Sequence, residues 1–232
     1  LIFTMSWITQ VFTSAIGKKL IMSLTGLFLC LFLVVHMSGN FLLFNNDGGQ
    51  AFNEYTKFMT TFPLIKVASI FTFFGIILHA VDGLLITLKN RKARPIKYAV
   101  QPKRASWASR NMAVLGIIVL FFLIVHLKSF WYVMKFGEVG KVVYDGQEYK
   151  DLYTVVVAAF SQWWYVAIYV VSLMALGYHL VHGFASAFQT LGVNHSKYTP
   201  FIKFVGYAYA ILVPIGFASQ PVIVYLTVHG YL

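Results

Sequence analysis

Five long apolar runs constrain this chain more than anything else in it. They cover roughly residues 18–44, 63–89, 110–136, 155–190 and 201–229. A helix crosses the hydrocarbon of a bilayer in roughly 20 residues, at a rise of about 1.5 Å each, and every run is that long. The runs are continuous rather than alternating, which predicts helices and not a β-barrel. The expected fold is all-α: a polytopic membrane bundle of five transmembrane helices, forming one domain over residues 1–232. Composition agrees, because a chain that is 59% hydrophobic and 11% charged carries more apolar surface than a soluble domain can hide. The fourth run is long enough to extend beyond the hydrocarbon. The stretch before Lys18 lacks a basic n-region and a small-residue cleavage site, so it does not read as a cleavable signal peptide.

The net charge of +11 is distributed unevenly between the loops. Lys18 and Lys19 flank the first run, Lys89, Arg91, Lys92, Arg94, Lys97, Lys103, Arg104 and Arg110 follow the second, and Lys197 and Lys203 precede the fifth, with no acid among them. The opposite loops balance Lys57, Lys66, Lys128, Lys135, Lys141 and Lys150 against Asp47, Glu54, Glu138, Asp145, Glu148 and Asp151. The positive-inside rule then predicts a cytoplasmic N-terminus and basic loops, with the C-terminus outside. The basic character is thus mainly topological. Such a surface also suits acidic soluble subunits or anionic membrane lipid. Nucleic acid is not an expected partner, since no motif or soluble module accompanies the charge. The single cysteine, Cys30, reads as a small core residue and cannot form an intrachain disulfide.

Ionisable residues inside a membrane span are costly and rare, yet His36, His79, His126, His179 and His182 all fall within the runs. His195 and His229 fall in a loop and at a helix end, and read as surface residues. Helical rise sets the depths. His36 lies 17 residues beyond Lys19 and His126 16 beyond Arg110, each about 25 Å from the basic side. His79 lies 10 residues before Lys89 and His179 13 before Gly192, about 15–20 Å from the same side. The first four runs therefore supply one histidine each, in two layers. A haem iron with two axial imidazoles needs two histidines at one depth on different helices, and two such pairs form a ladder across the membrane. Bis-histidine iron has no open position, so the implied chemistry is electron transfer. His182 is the rival to His179, three residues on and nearly on the same face. The parallel between His79-Ala-Val-Asp-Gly83 and His179-Leu-Val-His-Gly183 favours His179 as the ligand, leaving His182 to bond a propionate or to pack.

Glycines accompany the histidines. Gly83 and Gly183 follow His79 and His179 by four residues, on the same helix face. Gly26 and Gly116 precede His36 and His126 by ten residues, which brings them near the depth of the inner pair. Two readings stand: room for the inner macrocycle, or close helix packing by small residues.

The segment Ser23-Leu-Thr-Gly26-Leu-Phe-Leu-Cys-Leu-Phe-Leu-Val-Val-His36-Met37 resembles the first helix of the di-haem cytochrome b subunit of succinate:quinone oxidoreductases. This is the single-subunit membrane anchor, of the b558 type, of succinate dehydrogenase and fumarate reductase. The resemblance extends over the five runs, the four histidines and the segment from His179 to Gly192. It implies two haem b groups, with His79 and His179 on the inner one and His36 and His126 on the outer one. It implies a flavoprotein and an iron–sulfur subunit docked on the cytoplasmic face of a bacterial inner membrane, and electron exchange with a quinone, expected to be menaquinone. Dicarboxylate chemistry of the respiratory chain and tricarboxylic acid cycle would then lie in the partner subunits, and quinone chemistry would involve this one. Ser23 matches a position near the haem propionates. Glu54 is a candidate for an acid at an outer quinone site, against its reading as a solvated loop acid. Some relatives carry a glutamate two residues before the fourth ligand, on a proton path; here that position is Gly177. Asp82 lies one turn from His79 and could bond near the inner haem or to Lys89. Two other functions fit the same residues: a di-haem cytochrome b of a formate dehydrogenase or hydrogenase, and a haem-free proton-coupled transporter using the histidines as a relay.

Overall fold

The computed structural model describes residues 14–93 and 106–232; Arg94, Lys97, Lys103 and Arg104 of the basic loop lie outside them. Among the described residues five helices are long and apolar enough to cross a membrane: Ala15–Phe44, Pro63–Ala93, Met112–Phe136, Trp163–Thr190 and Thr199–Val228. The chain is an all-α polytopic bundle.

The first span consists of α1 (Ala15–Asn40) and a 3-10 turn, Phe41–Phe44. Ser14 caps α1 by accepting a hydrogen bond from the Gly17 amide, one of the donors a helix start leaves free. A short amphipathic helix, α2 (Gln50–Thr61), leads into the second span, α3 (Pro63–Ala93), which begins on the proline that suits a first helical position. A single turn, α4 (Trp107–Arg110), precedes the third span. That span is built of α5 (Met112–His126), a π-helical turn (Leu127–Tyr132) and α6 (Val133–Phe136). A hairpin follows, β1 (Lys141–Tyr144) and β2 (Gln147–Lys150), in antiparallel register. Its turn residues, Asp145 and Gly146, both have positive φ, the type I′ geometry that Asp-Gly favours.

The fourth apolar run differs from its expected shape. It is two helices, α7 (Leu152–Phe160) and α8 (Trp163–Thr190), and only α8 spans. The break falls at Ser161-Gln162, where Gln162 turns to an extended conformation and the Ser161 hydroxyl donates back to the Ala158 carbonyl. Competition of a serine side chain for backbone partners favours such a break. Gly192, at φ +83°, follows the end of α8, and the fifth span, α9 (Thr199–Val228), opens on Thr199-Pro200.

Helix α8 is the centre of the bundle, packed against α9, α5 and α1, while α1 also lies along α3. One third of the most apolar window in α8 and in α9 is buried within the chain, against 6–11% for the first three spans, whose apolar faces are left for lipid. Two prolines, Pro214 and Pro221, sit inside α9. Pro214 has no amide hydrogen to give the Ala210 carbonyl four residues back, and that oxygen faces Gly177 of α8. A Cβ added at Gly177 would stand 3.1 Å from it. The missing side chain lets the α8 backbone cover a carbonyl that hydrocarbon would leave unsatisfied.

The connections after the first and third spans meet in one cap. Asn53 of α2 is 1% exposed. Its amide nitrogen donates to the Tyr144 hydroxyl at 3.2 Å and to Asp151 Oδ1 at 3.1 Å, and its oxygen accepts from the Tyr153 amide at 2.9 Å. One buried side chain thus joins α2 to the hairpin and to α7. Lys150 Nζ ties the hairpin to the third span through the Met134 carbonyl.

Candidate functional site

The structure brings four of the five span histidines together as two facing pairs. His36 of α1 and His126 of α5 lie with ring centres 5.7 Å apart and planes at 86°. His79 of α3 and His179 of α8 lie 6.2 Å apart at 62°. The antiparallel path of the spans stacks the pairs. Gly26 on α1 lies against His79, and ten residues later, about 15 Å along the helix, His36 faces His126. On α8, Tyr169 lies beside His126, and His179, ten residues on, faces His79.

The His36–His126 pair sits in an aromatic box. Phe32 stacks on His36 at 5.3 Å, and Phe217 from the fifth span stands 5.7 Å from the same ring. Phe122 and Phe130 flank His126 at 5.8 and 5.4 Å. The π-helical turn begins immediately after His126 and carries Phe130 toward Phe160 and Trp131 toward Phe73; such turns recur at functional sites.

Two hydroxyls fix the histidine rings. Thr25 Oγ1 lies 3.1 Å from His79 Nδ1 and 2.7 Å from the Ile21 carbonyl of its own helix. A threonine hydroxyl has one proton. The shorter contact, to an atom that can only accept, takes it, so Oγ1 accepts from His79 Nδ1–H. With its hydrogen on Nδ1, His79 keeps the Nε2 lone pair for a ligand. At the other pair the Tyr169 hydroxyl lies 3.1 Å from His126 Nδ1. His179 Nδ1 is buried and has no hydrogen-bond partner among the described residues.

The other sequence-selected residues are placed as follows. A Cβ at Gly26 would meet His79 Cε1 at 3.2 Å, and one at Gly116 would meet His179 Cε1 at 3.9 Å. Gly83 faces the end of Met22, and Gly183 has open space where a side chain would begin. Ser23 is buried and donates to the Lys19 carbonyl of its own helix. His182 is half-buried, and the ring that faces His79 is that of His179. Glu54 lies on α2, accepting from Gln50 Nε2 at 2.9 Å. Asp82 is buried with Oδ2 unpartnered among the described residues. His195 and His229 are exposed.

Sequence reasoning did not select Thr25 or Tyr169. Thr25 is the residue before Gly26, and Tyr169 precedes His179 by the same ten residues that separate Gly26 from His36. The interval marks depth along a span but not the direction in which a side chain turns. Among the described residues no three His, Cys, Asp or Glu side chains converge on one point as a protein-only metal cage requires. No family model, curated protein or solved structure matches the chain.

Proposed function

We propose that the chain is the di-haem cytochrome b anchor of a succinate dehydrogenase or fumarate reductase, passing electrons between an iron–sulfur subunit and a membrane quinone. The observation that carries this reading is the presence of two facing histidine pairs, drawn from four different spans and stacked across the bilayer. Histidines in twos hold a metal only when another group completes its coordination, and a macrocycle supplies the four remaining nitrogens of a six-coordinate iron.

The residues fit that group on several counts. Two imidazoles that each reach a metal at about 2 Å have ring centres roughly 6 Å apart, the separation of both pairs. His79 donates Nδ1–H to Thr25 and so offers Nε2, the pattern of a metal-ligating histidine held by a second partner. Gly26 and Gly116 thin the walls at the inner pair. In this reading His79 and His179 hold the inner haem, and His36 and His126 the outer one. Bound haem supplies one-electron transfer without an open coordination site. The chain's own part is to hold the ligands at two depths, to keep water from them with the aromatic box, and to dock its partners on the basic face. The resemblance of the Ser23–Met37 segment supports the assignment to this family rather than to other di-haem cytochromes. The bacterial inner membrane, the cytoplasmic N-terminus, menaquinone, and a quinone role for Glu54 belong to the same proposal.

The test is the reduced-minus-oxidised visible spectrum of the purified protein with its haem content. Two low-spin b-type haems per chain are expected. A haem-free chain would overturn the proposal and leave the proton-coupled transporter. Co-purification with formate dehydrogenase or hydrogenase subunits would move it to the other respiratory complexes.

A further inference from the structure

Two tyrosines on α8 extend the outer histidine pair into a short chain. Tyr165 and Tyr169 are both buried, one helical turn apart, with hydroxyls 3.4 Å from each other. Tyr169 also lies 3.1 Å from His126 Nδ1. Phe130 and Phe160 pack around both rings and seal the chain from lipid.

The Tyr169 hydroxyl has one proton and two polar neighbours. If the proton points at His126 Nδ1, the histidine carries its own hydrogen on Nε2 and cannot ligate through that atom. If it points at Tyr165, the Tyr169 oxygen accepts from His126 Nδ1–H and Nε2 is free. We infer that the Tyr169 hydroxyl donates to the Tyr165 oxygen, so that Tyr169 holds His126 as an Nε2 ligand of the outer haem. This rests on the haem reading and names two positioning residues for it. Both tyrosines would act through His126 and not on the metal itself. Tyr169 sets the His126 tautomer and ring angle, and Tyr165 acts through Tyr169.

The inner layer reaches the same end differently. The Thr25 proton is committed to a backbone carbonyl of its own helix, so His79 needs no second side chain. In the outer layer the partner is a phenol whose proton needs an acceptor, and Tyr165 supplies it. An acceptor on the far nitrogen raises the basicity of a ligating imidazole, and a more basic ligand favours the oxidised metal. Removing the acceptor therefore moves the potential upward.

The test is a redox titration of both haems in the complex purified from membranes, for wild type, Tyr169→Phe and Tyr165→Phe. Tyr169→Phe removes the acceptor. Its outer haem is expected to titrate at a higher potential and to bind on the order of 10–100-fold more weakly. Tyr165→Phe leaves Tyr169 without an outlet for its proton, which then opposes the ligating tautomer; the outer haem shifts in the same direction. The inner haem stays at its wild-type potential in both variants, which general loosening of the bundle would not produce. An outer haem unmoved in both variants, or both haems moving together, would overturn the inference while leaving the two-haem reading intact. A wild-type protein without haem would remove both.

Discussion

Gly26 lies so close to His79 that a Cβ at that position would stand 3.2 Å from the ring carbon Cε1. The first span is closed onto the second-span histidine by a missing side chain. Gly26→Leu is therefore expected to displace His79 and to lower the haem content from two per chain to one, with the outer haem kept. Gly26→Ala asks the ring to yield by only a few tenths of an ångström, and is expected to keep both haems. The haem-to-protein ratio checks this; an unchanged inner haem in Gly26→Leu would show that the glycine matters only for packing.

Gly177 packs against the fifth span with no side chain between them. Its α-carbon faces the Ala210 carbonyl that Pro214 leaves without a donor, with Pro214 itself 3.5 Å from the position of a Cβ. Gly177→Glu is expected to force α8 and α9 apart at a cost of about 1–3 kcal/mol from overpacking, more than Gly177→Ala. Thermal unfolding of the two variants in detergent measures the difference. Equal melting temperatures would contradict the close packing.

Asn53 joins α2, the hairpin and α7 through a single polar side chain. Asn53→Ala leaves the Tyr153 amide, Tyr144 and Asp151 each one partner short, and a buried donor left unsatisfied costs about 1–3 kcal/mol. Amide hydrogen exchange at Tyr153 and along 141–150 is expected to rise while exchange in the spans stays the same. Unchanged protection at Tyr153 would count against the role given to Asn53.

The cap also carries an acid-sensitive joint. Burial would raise the Asp151 carboxyl, but hydrogen bonds from Thr154 and Asn53 outweigh it and hold the group below its ordinary value of 3.8. A carboxyl lowered in the native state adds stability above its ordinary value and loses it as the pH falls through the native one. Protection of the hairpin amides, measured against their intrinsic exchange rate, is expected to fall below about pH 3.8, and Asp151→Asn should remove that dependence. A variant with the wild-type acid response would place the sensitive group elsewhere.

Much of the bundle was legible in the sequence because its signals are local. Apolar length marks the spans, and helical rise from charged boundaries put His36 level with His126 and His79 level with His179, the partners that face each other in the structure. The break at Ser161-Gln162 was not legible, since both flanks are apolar and neither glycine nor proline marks it. The hairpin had a readable signal, Asp145-Gly146 between Lys141-Val-Val-Tyr144 and Gln147-Glu-Tyr-Lys150, which the search for spans passed over. Thr25 and Tyr169 were hidden for another reason. A hydrogen bond between helices depends on how two spans rotate against each other, and no periodicity within one span records that. The role of Gly177 likewise appears only when Pro214, 37 positions away, is set beside it.

The central claim is that His79 pairs with His179 and His36 with His126, each pair around one haem. The direct measurement is the redox-resolved spectrum of four single variants: His36→Ala, His79→Ala, His126→Ala and His179→Ala. His79→Ala and His179→Ala are expected to lose the same haem, and His36→Ala and His126→Ala the other. Loss of the outer haem in His179→Ala, or an unchanged two-haem spectrum in any of the four, would contradict it.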